Sequence, residues 1–306
     1  MSQPVFRFAP SPNGPLHLGH ALSALTGYEM ARTYGGRFLL RIEDIDLART
    51  RQSYIDAILY DLAWLGISWE NPVLRQSTRF SAYRQATEKL QDIGLLYRCY
   101  ANRSDINTAL ADNLHPRDPD GAPLFSRAQL ARFTLIDEQR QFRFEPFALR
   151  LDMERAIAAA QTRLDAETLT YREITSDGTI ETRAAHPERW GDAIIVRKDT
   201  PASYHLAVVV DDAAQGITHV TRGQDLLAAT DIHRLLQVLL GLPEPVYHHH
   251  ALILSRDGRK LAKSAGDQGL SELRAAGLAS DDVKSQLMPL LPKFDRVDPA
   301  HVSFLK

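Results

Sequence analysis

The first part of the chain alternates between short apolar strands and longer helical patterns. Residues 5–8 have the two-residue period of a strand, and the apolar, alanine-rich residues 18–34 are typical of a helix. Residues 37–42 predict a second strand, and residues 53–65 predict an amphipathic helix. Strands that alternate with helices in this way predict βαβ units and a parallel sheet.

The middle of the chain has a different pattern. Residues from about 98 to 189 are rich in turns and charges, with alanine-rich helical pieces near Ala128 and Ala156. Alternating strands are predicted around residues 168–171 and 179–182. We therefore expect a mixed α+β segment to be inserted between two halves of the sheet.

Buried-strand patterns return in the last third of the chain. Residues 192–197 predict a strand, and the continuous apolar run of residues 206–210 is typical of a central parallel strand. Residues 226–240 predict a helix, and residues 252–254 predict one more strand, for which the histidines at 248–250 form the lead-in. The sequence therefore predicts an α/β fold: a parallel sheet split by an inserted α+β segment, with a short, polar, helical C-terminal tail.

The composition is that of a globular protein. Of the 306 residues, 44% are hydrophobic and 24% are charged, and no apolar run is long enough to span a bilayer. The first predicted strand begins almost at once, so we expect no signal peptide. The single cysteine, Cys99, excludes an internal disulfide and fits a reducing compartment. We therefore expect a cytoplasmic protein with no membrane partner.

A predicted helix start carries the first candidate chemistry. A loop of prolines and Gly14 leads into the helix, and His17 and His20 lie three apart, hence on one face of its first turn. A helix N-terminus offers unpaired N–H groups and a partial positive charge, so a phosphate docked there would meet both imidazoles. Gly19 has no Cβ, which lets a flat ring approach the backbone. Two histidines at this spacing are also common as capping or packing residues.

A glycine-flanked loop with two lysines carries the second candidate chemistry. Lys260 and Lys263 follow an Asp-Gly turn at residues 257–258, and Gly266 ends the loop. We expect this loop to be mobile and cationic, although a solvated turn is the ordinary interpretation of such a pair alone.

Together the two motifs resemble those of the class I aminoacyl-tRNA synthetases. Residues 17–20, His-Leu-Gly-His, match the HIGH signature, and residues 260–264, Lys-Leu-Ala-Lys-Ser, match KMSKS with Ala262 in place of the motif's first serine. Similarity to the glutamyl branch of this family lies in four further segments, residues 7–12, 40–46, 204–212 and 216–223. The resemblance implies a ligase with a Rossmann-like parallel nucleotide-binding sheet that uses ATP, with Mg²⁺ on its phosphates, to activate L-glutamate as glutamyl-adenylate.

The resemblance also implies roles for the two motifs. His17, His20, Lys260 and Lys263 would be catalytic, and His17, Gly19, His20 and Lys263 would bind ATP. Negative charge grows on the α-phosphate and on the leaving pyrophosphate, so fixed positive groups at those places would lower the barrier.

A glutamate pocket needs partners for two carboxylates and one ammonium. Arg7 and Arg222 can each bind a carboxylate through two N–H groups, and Glu43 can take the ammonium. Tyr204 and Ser11 add hydroxyl groups. The sequence leaves open which arginine meets which carboxylate, and a helix cap for Glu43 or a surface turn for Arg222 is the ordinary alternative.

The length of the chain limits which members of the glutamyl branch it resembles. The chain ends 42 residues after Ser264, so we expect no anticodon-binding domain. It is therefore similar to the short branch of the glutamyl family, which attaches glutamate to the queuosine base at the anticodon wobble position of tRNA(Asp). The partners implied are L-glutamate, ATP and queuosine-containing tRNA(Asp), and we expect a monomer. A truncated enzyme that charges tRNA(Glu), a glutamate-activating ligase with a non-tRNA acceptor and a non-catalytic RNA-binding paralogue remain alternatives.

These landmarks predict four parts of the chain. Residues 1–97 would be the first half of the catalytic nucleotide-binding domain and residues 98–189 the inserted acceptor or connective segment. Residues 190–250 would be the second half of the catalytic domain, and residues 251–306 would hold the lysine loop and the helical tail.

Metal and RNA contacts are less well indicated. Relatives often bind a structural zinc through several cysteines, but here Ala101 stands where a second cysteine would follow Cys99, and only His115 offers a further Cys or His ligand nearby. Structural zinc prefers four Cys or His ligands, so we expect a zinc-free insertion.

The net charge of −2 means that any RNA-binding surface is local. Candidate phosphate contacts are Arg49, Arg51, Arg75, Arg79, Arg84, Lys284, Lys293 and Arg296.

Overall fold

The computed structural model describes residues 3–110, 115–127, 129, 140–141, 143–254 and 268–292. Its strands are β1 Val5–Phe8, β2 Arg37–Ile42, β3 Glu70–Arg75, β4 Leu96–Cys99, β5 Ala148–Leu151, β6 Thr170–Ile174, β7 Ile180–Ala184, β8 Ile194–Val196, β9 His219–Gly223 and β10 Val246–His250. Its described α-helices are α1 Leu18–Thr33, α2 Gln52–Trp64, α3 Phe80–Asp92, α4 Arg103–Ala109, α5 Met153–Arg163, α6 Tyr204–Ala214, α7 Ala229–Leu240, α8 Leu270–Ala275 and α9 Ser280–Leu287.

The predicted parallel sheet is confirmed, and its strands come from both ends of the chain. Strands β1, β2 and β3 pair in parallel, and β9, β10 and β6 form a second parallel set to which β7 adds an antiparallel edge. The two sets meet where β1 lies beside the start of β9. There the Thr218 N–H donates to the carbonyl oxygen of Val5 at 3.0 Å, and the Val5 N–H donates to Thr218 Oγ1 at 2.8 Å. The carboxyl ends of β1, β9 and β10 therefore lie side by side.

The helices of the first half begin and end close to their predicted positions. α1 and α2 cover the sheet, and their apolar residues pack in one cluster with Phe6, Leu40 and Ile42 of the strands. The short β1 is buried along its whole length, as expected for a central strand.

The apolar run at 206–210 is a helix, so its prediction as a central strand was wrong. Ser203 caps α6 by accepting a hydrogen bond from the Leu206 N–H, and Leu206, Val208 and Val209 are buried against α3 and α7. A short apolar run bounded by polar residues does not separate a buried strand from a fully buried helix. Here the apolar residues pack on several sides, against α3 and α7, and this packing stabilises the helix rather than a strand.

The strand predicted at 252–254 was also placed wrongly. The histidines at 248–250 are not its lead-in but the end of β10, which pairs with β9 up to His250 opposite Gly223. Leu252 and Ile253 follow the strand without regular structure. Histidine is a weak strand signal, so the ladder to β9 rather than local preference sets this boundary.

The described strands of the inserted segment join two different sheets. The strands predicted around 168–171 and 179–182 are confirmed as β6 and β7, and β6 pairs in parallel with β10. The helix predicted near Ala156 is confirmed as α5, whereas Ala128 lies outside the described residues. β8 confirms a strand within 192–197 but joins β5 and β4 in an antiparallel sheet. The four-part division of the chain stays a prediction.

The predicted helical tail is confirmed and is anchored on the first half of the sheet. Leu270 is buried, and its N–H donates to the carbonyl oxygen of Leu16 at 2.7 Å. Arg274 of α8 pairs with the buried Asp61 of α2 at 2.6 Å. Among the described residues, no helix has the length and apolar character needed to cross a membrane.

Candidate active site

One cavity of about 870 Å³ opens at the carboxyl ends of the central strands and at the start of α1. In parallel α/β sheets this edge is where ligands bind. The cavity brings together every residue predicted to bind ATP or glutamate that the structure describes: Arg7, Ser11, His17, Gly19, His20, Glu43, Tyr204 and Arg222. Lys260 and Lys263 lie outside the described residues.

The histidine end of the cavity, formed by His17, Gly19 and His20, is a capped helix start. The Nδ1 atom of His17 accepts from the Gly19 N–H at 3.1 Å, and the His17 N–H donates to Nδ1 of His20 at 3.2 Å. Each ring therefore caps a backbone donor of the first turn. The two ring centroids are 3.9 Å apart.

The capping contacts select one tautomer of each ring. Because Nδ1 of His17 and of His20 accepts a backbone proton, a neutral ring carries its own proton on Nε2. Both Nε2–H groups are then donors at the positive end of the α1 dipole. This combination suits an anionic group such as a phosphate.

Gly19 is required by the close approach of the His17 ring. A Cβ built on Gly19 would lie 2.9 Å from Cε1 of His17, closer than side chains tolerate. The sequence predicted that Gly19 admits a flat ring, and the ring that approaches in the structure is the imidazole two residues earlier.

The arginine end of the cavity, formed by Arg7, Glu43, Tyr204 and Arg222, begins with a buried ion pair. Arg7 Nε lies 3.0 Å from Oδ1 of Asp212, and Arg7 Nη2 lies 3.2 Å from Oδ2. Arg41, which is fully buried, donates from Nη1 to the same Oδ1 at 2.7 Å. Burial raises the pKa of Asp212, but the two guanidinium groups outweigh it and hold this pKa below its ordinary value. Asp212 is therefore ionised between two cations.

Glu43 completes a balanced set of charges. Its Oε1 lies 3.3 Å from Nη2 of Arg41, whereas Asp212 bonds the other terminal nitrogen, Nη1. Burial raises the pKa of Glu43 more than Arg41 and Arg7 lower it. A further cation beside Glu43, such as a substrate ammonium, would stabilise its charged form.

Within the part of the chain that the structure describes, the guanidinium of Arg222 donates to three uncharged groups. Its Nε donates to Nε2 of His249 at 3.2 Å, its Nη1 to Nδ1 of His233 at 3.0 Å, and its Nη2 to the hydroxyl of Thr230 at 2.7 Å. Tyr204, whose pKa burial raises, lies at the same end of the cavity as a neutral hydroxyl. Summed over Arg7, Arg41, Asp212, Glu43 and Arg222, the formal charges leave one net positive charge, that of Arg222; Asp225, which also lines the cavity, is not part of this sum.

Residues 5–281 match the family model for tRNA synthetases class I (E and Q), catalytic domain. The chain belongs to this synthetase family. It is 46% identical over 286 residues to the Glutamyl-Q tRNA(Asp) synthetase of Rhodobacter capsulatus, an alignment that covers 92% of this chain and 98% of that protein. It is 38% identical to the Glutamate–tRNA ligase of a Synechococcus species over 89% of this chain but only 55% of the ligase.

Solved structures of the synthetase family share the fold. The glutamate-tRNA synthetase of Elizabethkingia anophelis superposes with a TM-score of 0.67 at 26% sequence identity. The superposition covers 87% of this chain and 54% of that synthetase, so the chain spans about half the length of this relative. The family confirms the predicted ligase class and the α/β nucleotide-binding fold.

Several residues at this synthetase site were not singled out in the sequence. Asp212 and its neighbour Asp211 lie in the 204–212 segment that resembles the glutamyl branch, and this was the only signal that pointed to Asp212. His233 and His249 carried no signal that separated them from packing residues. His250 also lines the cavity, with Nε2 2.7 Å from the hydroxyl of Ser23.

The weak metal candidates of the insertion have other neighbours. Cys99 is buried in an apolar cluster with Ala101 and Ile106, and Nε2 of His115 lies 2.7 Å from the carbonyl oxygen of Leu124. Within the described ranges, no group of three His, Cys, Asp or Glu side chains is arranged to hold a metal ion. The prediction of a zinc-free insertion is not tested by this.

Two of the basic residues considered for RNA binding pair with buried carboxylates of the protein. Arg75 Nε lies 2.8 Å from Oδ2 of the buried Asp44, and Arg79 Nε lies 3.1 Å from Oδ1 of the buried Asp211. These pairs tie the segment after β3 to the sheet and to α6, which gives both arginines a structural role.

Proposed function

We propose that the chain activates L-glutamate with ATP and transfers it to the queuosine base at the anticodon wobble position of tRNA(Asp). The observation that carries the first step is the division of a single cavity into an anion-binding helix start and an arginine end with one net positive charge. The acceptor is supported by the name of the Rhodobacter relative, whose length the chain matches almost completely.

The arginine end complements glutamate in charge. At neutral pH the amino acid has two carboxylates and one ammonium, so its net charge of −1 balances the net +1 left by Arg222. In this proposal Glu43 receives the ammonium, and Arg7 and Arg222 face the carboxylates. Ser11 and Tyr204 add hydrogen bonds from the cavity wall.

The same charge balance favours glutamate over glutamine. Glutamine has no net charge, so its binding would leave the buried Arg222 guanidinium without a counter-charge. An uncompensated buried charge is costly, and a site built around it rejects the neutral analogue.

The histidine end would hold the phosphates of ATP. An oxygen of the glutamate carboxylate attacks the α-phosphorus and pyrophosphate leaves, so negative charge grows close to the start of α1. The Nε2–H groups of His17 and His20 would stabilise that charge, and removal of one such donor costs about 3–4 kcal/mol in comparable sites. Gly19 keeps the His17 ring in position.

The residues that precede and follow the lysine loop both lie at the cavity. Leu252 and Ile253 line the cavity before it, and Gly269 after it forms an isolated bridge with His17. Lys260 and Lys263 lie between these two anchors in the sequence. We assign Lys263 to the pyrophosphate and Lys260 to a supporting role.

Magnesium fits this site as an ion that arrives with ATP. The described residues supply no preformed cluster of three metal ligands, and Mg²⁺ in nucleotide sites is held mainly by phosphate oxygens and water. When bound, it would neutralise part of the phosphate charge, and His17 and His20 would neutralise another part from the protein side.

Because the proposed acceptor is a tRNA, we expect the reaction to take place in the cytoplasm.

Transfer of labelled glutamate tests the proposal. The purified protein is incubated with ATP and labelled glutamate, and with tRNA(Asp) that contains or lacks queuosine; tRNA(Glu) serves as a parallel acceptor. We expect label only on queuosine-containing tRNA(Asp), and we expect it to survive removal of the 3′ end.

The other outcomes identify the alternatives. Label on the 3′ end of tRNA(Glu) would replace the proposal with a charging enzyme. Glutamate-dependent pyrophosphate exchange without label on either tRNA would indicate a ligase with a different acceptor, and absence of exchange would indicate a non-catalytic paralogue.

A further inference from the structure

Three histidines surround the guanidinium of Arg222. His249 and His233 contact it directly, and His205 contacts His233. An arginine has only donors, so His249 Nε2 and His233 Nδ1, at 3.2 and 3.0 Å, must both accept. Thr230 accepts from Nη2 at 2.7 Å, and its own hydroxyl lies 3.1 Å from His249 Nε2. The two bonds to histidine require each imidazole to be unprotonated on the nitrogen that faces Arg222.

The far side of His249 explains how that ring stays neutral beside a carboxylate. With Nε2 accepting, the ring proton is on Nδ1 and is donated to Oε1 of Glu173 at 2.7 Å. The other oxygen of Glu173 lies 2.7 Å from Nε of Arg183. Arg183, which also pairs with Glu181 at 3.1 Å, therefore places a positive charge beside Glu173 and stabilises it as a carboxylate that accepts the Nδ1 proton of His249.

His233 has the opposite tautomer. Its Nδ1 accepts from Arg222, so its proton is on Nε2 and is donated to Nδ1 of His205 at 3.1 Å. Burial lowers the pKa of His205 and of His249 to about 4 and that of His233 well below its ordinary value, and the charge of Arg222 acts in the same direction. All three rings are neutral at neutral pH.

We propose that His249 and His233 are positioning residues for amino-acid recognition, which fix the Arg222 guanidinium as neutral acceptors and leave its positive charge for the substrate. This inference rests on the proposed function. A carboxylate at either place would hold Arg222 as firmly, but it would cancel the charge that distinguishes glutamate from glutamine. Arg7, which is paired with Asp212, does not have this property.

A comparison of variants at neighbouring histidines tests the positioning role. H249Q keeps an acceptor close to Nε2, whereas H249L removes it. H248L is the matched control, because His248 is the neighbour on β10 and its Nδ1 bonds the carbonyl oxygen of Ile174 instead. Steady-state ATP–pyrophosphate exchange gives KM for glutamate, KM for ATP and kcat, and thermal unfolding identifies variants that do not fold.

We expect H249L to raise KM for glutamate about tenfold or more, since a buried donor of Arg222 loses its acceptor, and to leave KM for ATP within about twofold. H249Q should rescue most of this loss, and H248L should leave KM for glutamate near the wild-type value. An equal rise in H249L and H248L, or no rescue in H249Q, would overturn the inference.

Variants at Thr230 test the charge separately and decide the matter if H249L does not fold. T230S keeps the hydroxyl that accepts from Arg222, whereas T230D places a carboxylate there. We expect T230D to reduce the preference for glutamate over glutamine about tenfold or more and T230S to preserve it. An unchanged preference in T230D would overturn the inference. Wild-type protein without any glutamate-dependent exchange would contradict the proposed function, and the inference with it.

Discussion

Arg7 and Asp212 lie 205 positions apart in the chain and form a two-point ion pair beside the cavity, with nitrogen–oxygen distances of 3.0 and 3.2 Å. Both side chains are almost fully buried. Arg41 shares the same carboxylate, so one aspartate of α6 connects β1 and β2 below the proposed glutamate pocket. A residue that does not line the cavity thus fixes the place of an arginine predicted to bind substrate.

Replacement of Asp212 by Asn should destabilise the fold as well as impair glutamate binding. The substitution leaves two buried guanidinium groups without their shared counter-charge, and breaking a buried pair in this way costs about 3–5 kcal/mol. Urea unfolding measures the loss. The control is Glu70→Gln, which breaks the exposed pair with Arg37 and should cost about 1 kcal/mol or less. Equal losses in the two variants would contradict the structural role given to Asp212.

Gly19→Ala and Gly27→Ala should affect different properties although both glycines lie in α1: the first should change KM for ATP and the second should change stability. At Gly19 the new methyl group would displace the His17 ring, so KM for ATP should rise while stability changes little. At Gly27 the methyl group would lie 2.7 Å from Oγ1 of Thr221, so the helix would be pushed from the sheet and stability should fall. Pyrophosphate exchange and thermal unfolding separate the two. A wild-type KM for ATP in the Gly19 variant would argue against a phosphate role for the helix start.

The lysine loop leads to a kinetic prediction from its sequence position alone. Lys263→Ala should lower kcat for pyrophosphate exchange about 10²–10³-fold with little change in KM for glutamate, because the proposed contact forms as charge develops on the leaving group. Arg259→Ala removes a neighbouring charge and serves as the control, with kcat near the wild-type value. Equal effects of the two substitutions would indicate that only the net charge of the loop matters.

Buried histidines should make the fold sensitive to mild acid. Burial lowers the pKa of His205, His219 and His249 to about 4, against about 6.5 for an unfolded chain. Between these pH values the unfolded state binds more protons than the folded state, so the free energy of unfolding rises with pH. The stabilisation that the neutral histidines contribute is therefore lost as pH falls from about 6.5 to 4. Each group contributes about 1.4 kcal/mol per pH unit within that window.

His219→Gln isolates one such contribution. His219 stacks on Phe6 at 4.6 Å and does not line the cavity, so its replacement separates stability from substrate binding. Buried carboxyl groups whose pKa is raised, such as Asp61 and Asp192, act in the opposite direction, and the difference between variant and wild type removes their share. The variant should show a shallower decline in unfolding free energy between pH 6 and 4.5, that is, within the window of about 4 to 6.5. An identical decline would show that His219 takes up its proton normally in the fold.

The chain's own residues predicted the histidine end of the cavity because its signals are local. A Pro/Gly loop followed by His17 sets the start of α1, and the period of residues 37–42 sets a strand wherever the rest of the chain lies. The family resemblance added Arg7, Glu43, Tyr204 and Arg222, and the structure brings all of them to one cavity.

The residues that the sequence could not place depend on contacts between distant segments. The apolar run at 206–210 became a helix because packing against α3 and α7 outweighed its resemblance to a strand. The line of histidines at 248–250 acquired its separate tasks only when β10 paired with β9, which turned His249 toward Arg222 and His248 toward Ile174.

The sequence by itself therefore determined the alternation of strands and helices and the helix start for phosphate, since these follow from neighbours along the chain, and the family resemblance supplied the kinds of charge in the glutamate pocket. Only the tertiary structure decided which of those charges are cancelled. Asp212 reaches Arg7 across the sheet, and Arg222 is surrounded by neutral rings from α7 and β10. Electrostatic balance depends on distance and burial in space, which spacing in the sequence does not record.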